Sequence, residues 1–402
     1  MLEIFVSAGE ASGDHYGAEF MRALRDKLPE THFFGLGGSE MQSAGQERIV
    51  RAEDVAYLGI TEILRHAPYI YRQFRKLRRS LRQRRPQLAV LIDFPDVNFR
   101  LARQCHALGI PVLWLVSPQL WAWKKRRLEW VKRWVTKMLV IFPFEESFYR
   151  ERGVDAEFIG HPLADLPSPQ MTREQFAAAN GLDAGRVWIG LLPGSRKSEV
   201  LHMLPEMLKA ARELAASRDY QFLLPVAPTL SPEFVTEMRG LVDKSPGSGT
   251  KISIRFVADA RAALFFARAS IVASGTATVQ AALMGNPFVI VYRMSSLSYG
   301  IARRFVTVPY AGMPNLIAGR EIVPELLQAA FTASNIVDRL TPLLADGPAR
   351  KTAQSDLLAV RRALVSRADP LQNNTVQADN EVTATAMARA ADAALYILKS
   401  SS

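Results

Sequence analysis

The sequence predicts an α/β fold made of two Rossmann-like, doubly wound domains followed by C-terminal helices. Three observations carry that expectation. Short, wholly apolar runs recur along the chain, as strands buried on both faces of a parallel sheet should. Helical stretches separate them, the alternation of parallel α/β units. A proline-rich break, Gly160–Pro169 (GHPLADLPSP), divides one such series from a second.

In the first series, Leu2–Ser7 reads as a strand and the loop from Ala8 to Asp14 leads into a helix reaching about Leu28. His32–Gly35 reads as the next strand, followed by Leu88–Ile92, Val112–Val116 and Met138–Phe142. The first loop lacks the G-x-G-x-x-G spacing, and Glu10 and Asp14 would repel a pyrophosphate, so both read as polar residues of a cleft. The second series runs Val187–Leu192, Phe222–Val226, Ile252–Val257, Ile271–Ala273 and Phe288–Tyr292. From Glu321 the chain reads as mostly helical, with a polar break at Asp369–Asn380. The expected domains are 1–165, 166–345 and a helical 346–402.

Composition bounds the function. The chain has 402 residues, of which 49% are hydrophobic and 22% charged, the profile of a folded globular protein. One cysteine, Cys105, leaves no disulfide framework and no Cys-based metal site within a single chain. MLEIFVSAGE is a first strand and not a signal peptide, and no uninterrupted apolar run is long enough to span a bilayer. These features point to a cytoplasmic protein, soluble or peripheral.

The net charge of +11 is concentrated. Residues 72–85 (RQFRKLRRSLRQRR) carry eight Arg/Lys and no acid, and Lys124–Arg127 adds a second cluster. Just before the first cluster and at its start, Ile63, Leu64, Tyr69, Ile70, Tyr71 and Phe74 supply apolar and aromatic groups. Dense positive charge beside such groups suits shallow contact with an anionic bilayer. A core-facing helix with a solvated basic face has the same pattern. No nucleic-acid-binding motif accompanies the patch.

Three turns carry the candidate chemistry. Ile271–Tyr292 is strand, turn, helix and strand. Its turn Ser274-Gly275-Thr276 is free of bulk, so backbone N–H groups there can meet an anion, although ordinary capping uses the same residues. One helical turn on, Gln280 is within reach of a ribose hydroxyl. Trp188–Glu199 (WIGLLPGSRKSE) runs a strand into a turn where Gly194 allows close approach, Ser195 can cap and Arg196 offers a bidentate fork. Two such turns suggest a diphosphate clamp without a metal or other cofactor. In the first domain, Asp93 and Asp96 follow a buried strand in VLIDFPDVN, where a carboxylate can act as general base or simply cap a helix. VSPQLWAW then brings Trp121 and Trp123 to a strand exit, as wall-forming aromatics.

In order, SAGEASGD, GITEIL, IDFPDVN, VSPQLWAWKKRR, FIGHPLAD, LLPGSRKSE, ASGTATVQ and PNLIAGRE resemble the lipid-A-disaccharide synthase family. The resemblance implies a GT-B glycosyltransferase with C-terminal helices that cross back to the first domain or to a partner chain, a homodimer. It implies transfer from UDP-2,3-diacylglucosamine to 2,3-diacylglucosamine 1-phosphate (lipid X), with inversion, at the cytoplasmic face of the inner membrane. By motif, Asp96 would be the base with Asp93 near it, and Arg196 would meet the diphosphate. Ser274, Gly275, Thr276 and Asn315 would face the nucleotide-sugar, and Glu10 and Asn98 would sit in the first-domain cleft. Where the family often has glutamate, this chain has Gln280, a weaker acceptor for a ribose hydroxyl. Another UDP-sugar enzyme of the same architecture (a 2-epimerase or a lipid-linked GlcNAc transferase) shares the phosphate turns. A non-catalytic membrane-binding protein would have no use for them.

Overall fold

The computed structural model describes residues 2–54, 60–122, 125–244, 252–294, 308–365 and 384–400, apart from the side chains of 60–67, 125 and 244. The chain forms two compact units, one of Met1–Asp165 with Leu364–Ser402 and one of Leu166–Ala363.

The first unit is built on seven parallel strands: β1 (Leu2–Ala8), β2 (Thr31–Gly37), β3 (Gln46–Arg51), β4 (Leu88–Ile92), β5 (Val112–Leu115), β6 (Lys137–Val140) and β7 (Ala156–Phe158). Their order is β3-β2-β1-β4-β5-β6-β7, so the winding reverses between β1 and β4. In open α/β sheets ligands collect at that reversal, beyond the carboxyl ends of the strands. The connections are helical: α1 (Ala11–Lys27), α2 (Ser39–Ser43), α3 (Ile60–Arg84), α4 (Pro95–Ala107), α5 (Leu128–Trp134), α6 (Pro143–Arg150) and α7 (Pro162–Asp165). The expected linker therefore contains a helical turn, and the boundary between the units falls at its end.

Strand β4, LAVLI, is buried throughout, which is why its sequence is uniformly apolar. The sequence reading had no strand at β3 or β7. Both are sheet edges; β3 (QERIVR) mixes polar and apolar residues and β7 has three residues, too few for a period to register.

The second unit repeats the plan with six strands: β8 (Val187–Leu192), β9 (Tyr220–Pro225), β10 (Ser253–Val257), β11 (Ala269–Ala273), β12 (Phe288–Tyr292) and β13 (Glu325–Leu327). Their order is β10-β9-β8-β11-β12-β13, with the reversal between β8 and β11. Helices α8 (Arg173–Asn180), α9 (Lys197–Ser217), α10 (Pro232–Lys244), α11 (Ala260–Phe266), α12 (Thr276–Leu283), α13 (Met313–Ala318), α14 (Ala333–Leu344) and α15 (Pro348–Leu364) accompany them. Strand β13 interrupts a stretch expected to be mostly helical from Glu321; at three residues it is another edge too short to announce itself.

The last helix, α16 (Ala386–Ser400), packs on α1 within the first unit. Its buried face is mostly alanine (Ala386, Ala390, Ala391, Ala393, Ala394), small enough for close approach. Lys27 pairs with Asp392, the Ala386 amide donates to Asp165 (2.7 Å) and Arg389 donates to the Ile159 carbonyl (3.0 Å). That face is thus used inside its own unit. The polar break at 369–380 lies outside the described residues. Among the described residues no helix is long and apolar enough to cross a membrane.

Candidate active site

In the first unit the exits of β1 and β4 meet at the winding reversal. Asp93 and Phe94 both take left-handed backbone, φ 43 and 47, a conformation that costs a non-glycine residue and tends to gather at functional sites. Asn98, in the first turn of α4, holds the turn together. It is fully buried; its Oδ1 accepts from Ser7 Oγ (2.7 Å) and its Nδ2 donates to the carbonyls of Ile92 (3.1 Å) and Asp93 (2.7 Å). This corrects the expectation that Asn98 faces a ligand, because its amide is committed to the strand ends behind the turn. The Phe94 ring lies so near Gly9 that a Cβ there would be 2.3 Å from ring carbon Cδ1, so β1 must leave its strand on a glycine.

The two candidate carboxylates differ sharply. The Asp93 carboxyl is pushed up to about 6 by burial and, secondly, by the charge of Glu10. Asp96 is largely exposed and accepts from Arg127 (2.7 Å), whose guanidinium also lies over Phe99 and Trp130. Glu10 is exposed at the start of α1 and makes no capping bond. Asp14 is no cleft residue: it is buried and accepts from the amides of Gly38 (2.7 Å), Glu40 (2.9 Å) and Met41 (3.1 Å), capping α2 from α1.

After β5, Trp121 is buried with its Nε1 donating to Glu145 (2.9 Å), so it braces the loop and does not offer a stacking face. Trp123 and Lys124 lie outside the described residues.

In the second unit both anion-suited turns stand at the reversal, one after β8 and one after β11. Gly275 caps α12 at φ 144, and no side chain caps it. The N–H groups of Thr276 and Ala277 have no partner among the described residues. Ser274 does not cap; its Oγ donates to the Ala311 carbonyl (2.9 Å). Gln280 is half-buried one turn later.

The β8 turn differs from expectation. Ser195 is not its cap. Glu199 reaches back from the first turn of α9 and accepts from the amides of Ser195 (3.1 Å) and Arg196 (3.3 Å), with Arg196 Nη1 at 3.5 Å. Gly194, at φ 118, is required: a Cβ would lie 2.6 Å from Glu199 Oε2. The Arg196 side chain is exposed. Tyr292 closes β12, on the far side of β11 from β8, its hydroxyl pushed up by burial, then by Glu199.

Asn315 is the second correction. It is fully buried, donating to Val323 O and Glu325 Oε1 (both 2.8 Å) and accepting from the amides of Ile322 (2.8 Å) and Val323 (2.9 Å). Glu325 in turn accepts from the amides of Ala311 (2.8 Å) and Gly312 (2.9 Å). Asn315 thus ties down the segment on which Ser274 leans. Glu145, Glu199 and Glu325 escaped the sequence reading. The signal available was glutamate at the third helical position for the first two, the capping-box place.

Helix α3 presents Arg72, Arg75, Lys76, Arg79 and Arg82 to solvent, and with Arg78 they line a shallow depression of about 440 Å3. Tyr71 is exposed, while Tyr69 and Ile70 are half-buried. Phe74 was expected outside with them. It packs inward because it shares a helical face with Leu77 and Leu81. The side chains of Ile63 and Leu64 lie outside the described residues. Among the described residues no three His, Cys, Asp or Glu side chains converge as metal ligands would.

The profile of a family described as lipid-A-disaccharide synthetase matches residues 4–378. A protein of Acidobacterium capsulatum named lipid-A-disaccharide synthase is 56% identical over 369 residues, covering 90% of this chain and 91% of its own. The protein of that name from Koribacter versatilis is 48% identical, covering 91% and 94%. The solved structure of CalG4, the calicheamicin glycosyltransferase, superposes with a TM-score of 0.57 at 14% identity over 99% of this chain and 98% of that one.

Proposed function

Since this chain belongs to the lipid-A-disaccharide synthase family, whose GT-B glycosyltransferase fold it shares, we propose that it transfers 2,3-diacylglucosamine from UDP to 2,3-diacylglucosamine 1-phosphate. The products are the β-1,6 disaccharide 1-phosphate and UDP, with inversion at the anomeric carbon. The observation that carries the reading is that each sheet has its polar turns at its own winding reversal. The first unit offers a base there and the second offers anion-binding groups.

Asp93 is the general base in this reading. Its carboxyl titrates near 6, so at neutral pH it is ionised yet basic enough to take the proton of the acceptor 6-hydroxyl. The hydroxyl oxygen attacks the anomeric carbon, the bond to the diphosphate breaks, and its electron pair leaves on the β-phosphate. The uncapped N–H groups of Thr276 and Ala277 and the Arg196 guanidinium meet that charge. Asp96, the base by motif, is here an exposed partner of Arg127. Gln280 accepts from the ribose.

Arg196→Ala is expected to weaken UDP binding or slow leaving-group departure about tenfold to a hundredfold without lowering Tm. Calorimetric titration with UDP checks it, and unchanged binding and turnover would remove Arg196 from the clamp.

The function itself is tested by UDP release in detergent micelles, with the diacylated donor and with or without the monosaccharide 1-phosphate. Acceptor-dependent release is expected. Turnover of unacylated UDP-GlcNAc alone would keep the fold and discard the function.

The stripe of cations on α3 supports peripheral attachment to an anionic membrane surface on the cytoplasmic side. Replacing Arg72, Arg75 and Arg79 by Gln is expected to reduce binding to anionic vesicles about a hundredfold, at about 1 kcal/mol per residue. Cosedimentation at two salt concentrations measures it; retention of vesicle binding by the triple variant would refute the surface.

A further inference from the structure

Glu145 takes no part in the proposed chemistry, yet it is a buried carboxylate on which three donors converge. Its Oε1 accepts from Ser117 Oγ (2.7 Å) and Trp121 Nε1 (2.9 Å), and its Oε2 from the Phe142 amide (3.2 Å). Only 1% of it is exposed, and burial pushes its carboxyl up to about 7 despite those hydrogen bonds. In its ionised form the carboxyl accepts only, so it can serve all three donors at once. An amide would turn its NH2 toward at least one of them.

The loop that supplies two of these donors, Ser117 and Trp121, is strained. Val116 sits at φ 63, a left-handed conformation that a β-branched residue adopts only where its surroundings over-determine it. What over-determines it is visible. Val116 donates to the Leu139 carbonyl and accepts from Trp114 Nε1, both at 3.1 Å. The Tyr149 hydroxyl, one helical turn beyond Glu145, donates to the Pro118 carbonyl (2.9 Å). Glu145 fixes positions 117 and 121. Immediately before Val116, the Leu115 carbonyl accepts from the Asp93 amide (3.0 Å). The strained loop therefore buttresses the left-handed turn that aims the Asp93 carboxyl.

We propose that Glu145 is a positioning residue, holding the 116–122 loop so that the β5 end fixes Asp93 against the acceptor hydroxyl. This rests on the reading of Asp93 as the base. The competing account is that Glu145 merely caps α6, in which case its loss costs stability and nothing else.

The experiment is a double-mutant cycle on the full chain. Glu145→Gln and Ser117→Ala are each made alone and in an Asp93→Asn background. Acceptor-dependent kcat, UDP affinity and Tm are recorded. Ser117→Ala leaves the helix cap intact, so it decides the matter if Glu145→Gln does not fold. Both are expected to lower kcat about tenfold with UDP affinity unchanged, since misplacement of a reacting group by about 1 Å can cost a hundredfold. In the Asp93→Asn background, where there is no base left to aim, they are expected to cause little further loss. Wild-type kcat in the folded variants, or losses that multiply independently of Asp93, would overturn the proposal. If Asp93→Asn itself keeps full turnover, it is the assignment of the base that fails, a result separable from the other two.

Discussion

Asp93→Asn is expected to lower acceptor-dependent turnover by about a thousandfold while leaving UDP affinity unchanged, since positioned general bases contribute on that order. The pH profile should change with it. Burial and Glu10 raise the Asp93 carboxyl to about 6, so wild-type turnover should fall as pH drops through 6, and the residual activity of the variant should lack that limb. Stability should move the other way. A carboxyl raised on folding holds its proton more tightly in the folded state, so the folded protein is penalised above pH 6. That penalty fades as pH falls from about 6 toward the ordinary 3.8. Asparagine carries no such penalty and tolerates left-handed backbone at least as well as aspartate. The variant should therefore melt no lower than wild type at pH 7.5, and the difference should vanish in acid. Asp96→Asn is the control: it loses one exposed ion pair, worth at most about 1 kcal/mol, and should keep turnover within a few-fold. A dead Asp96→Asn beside an active Asp93→Asn would return the base to Asp96.

The contrast between these two aspartates shows what the sequence could and could not reveal. That both follow a buried strand is legible in LAVLIDFPD, because strand burial is written in uniform apolarity. Which of them is buried depends on the left-handed turn at Asp93 and Phe94, and that turn is set from a distance. Ser7 in β1 fixes Asn98, and the β5 end receives the Asp93 amide. No local pattern encodes contacts between strands. The same reason hid Glu145, whose partners Ser117 and Trp121 lie more than twenty residues away. Conversely, the turns after β8 and β11 were readable because glycine at a strand exit has a local cause, positive φ at Gly194 and Gly275. Their occupants were not. Glu199 fills the β8 turn from α9, while Ser274 spends its hydroxyl on Ala311 and caps nothing.

Asn315→Ala is expected to lower unfolding stability by about 3–5 kcal/mol, because it strands several buried groups at about 1–3 kcal/mol each. The amides of Ile322 and Val323 lose their acceptor, and the Val323 carbonyl and Glu325 lose their donor, where no solvent reaches the Asn315 side chain. Calorimetry should record the drop in Tm. UDP affinity of the folded protein should change less than tenfold, and only through the route the hydrogen bonds provide. That route is Glu325 loosening its hold on the amides of Ala311 and Gly312, and Ala311 its hold on Ser274. Asn315→Asp sharpens the test. It keeps an acceptor for the two amides but sets a second carboxylate against Glu325, so it should be nearly as unstable at neutral pH and recover in acid as one of the pair takes a proton. A ligand-contacting asparagine predicts the reverse signature: UDP affinity lost at unchanged Tm. An exposed amide that binds a nucleotide has nothing to unfold when it is removed, whereas a buried one that closes four hydrogen bonds has nothing left over for a ligand.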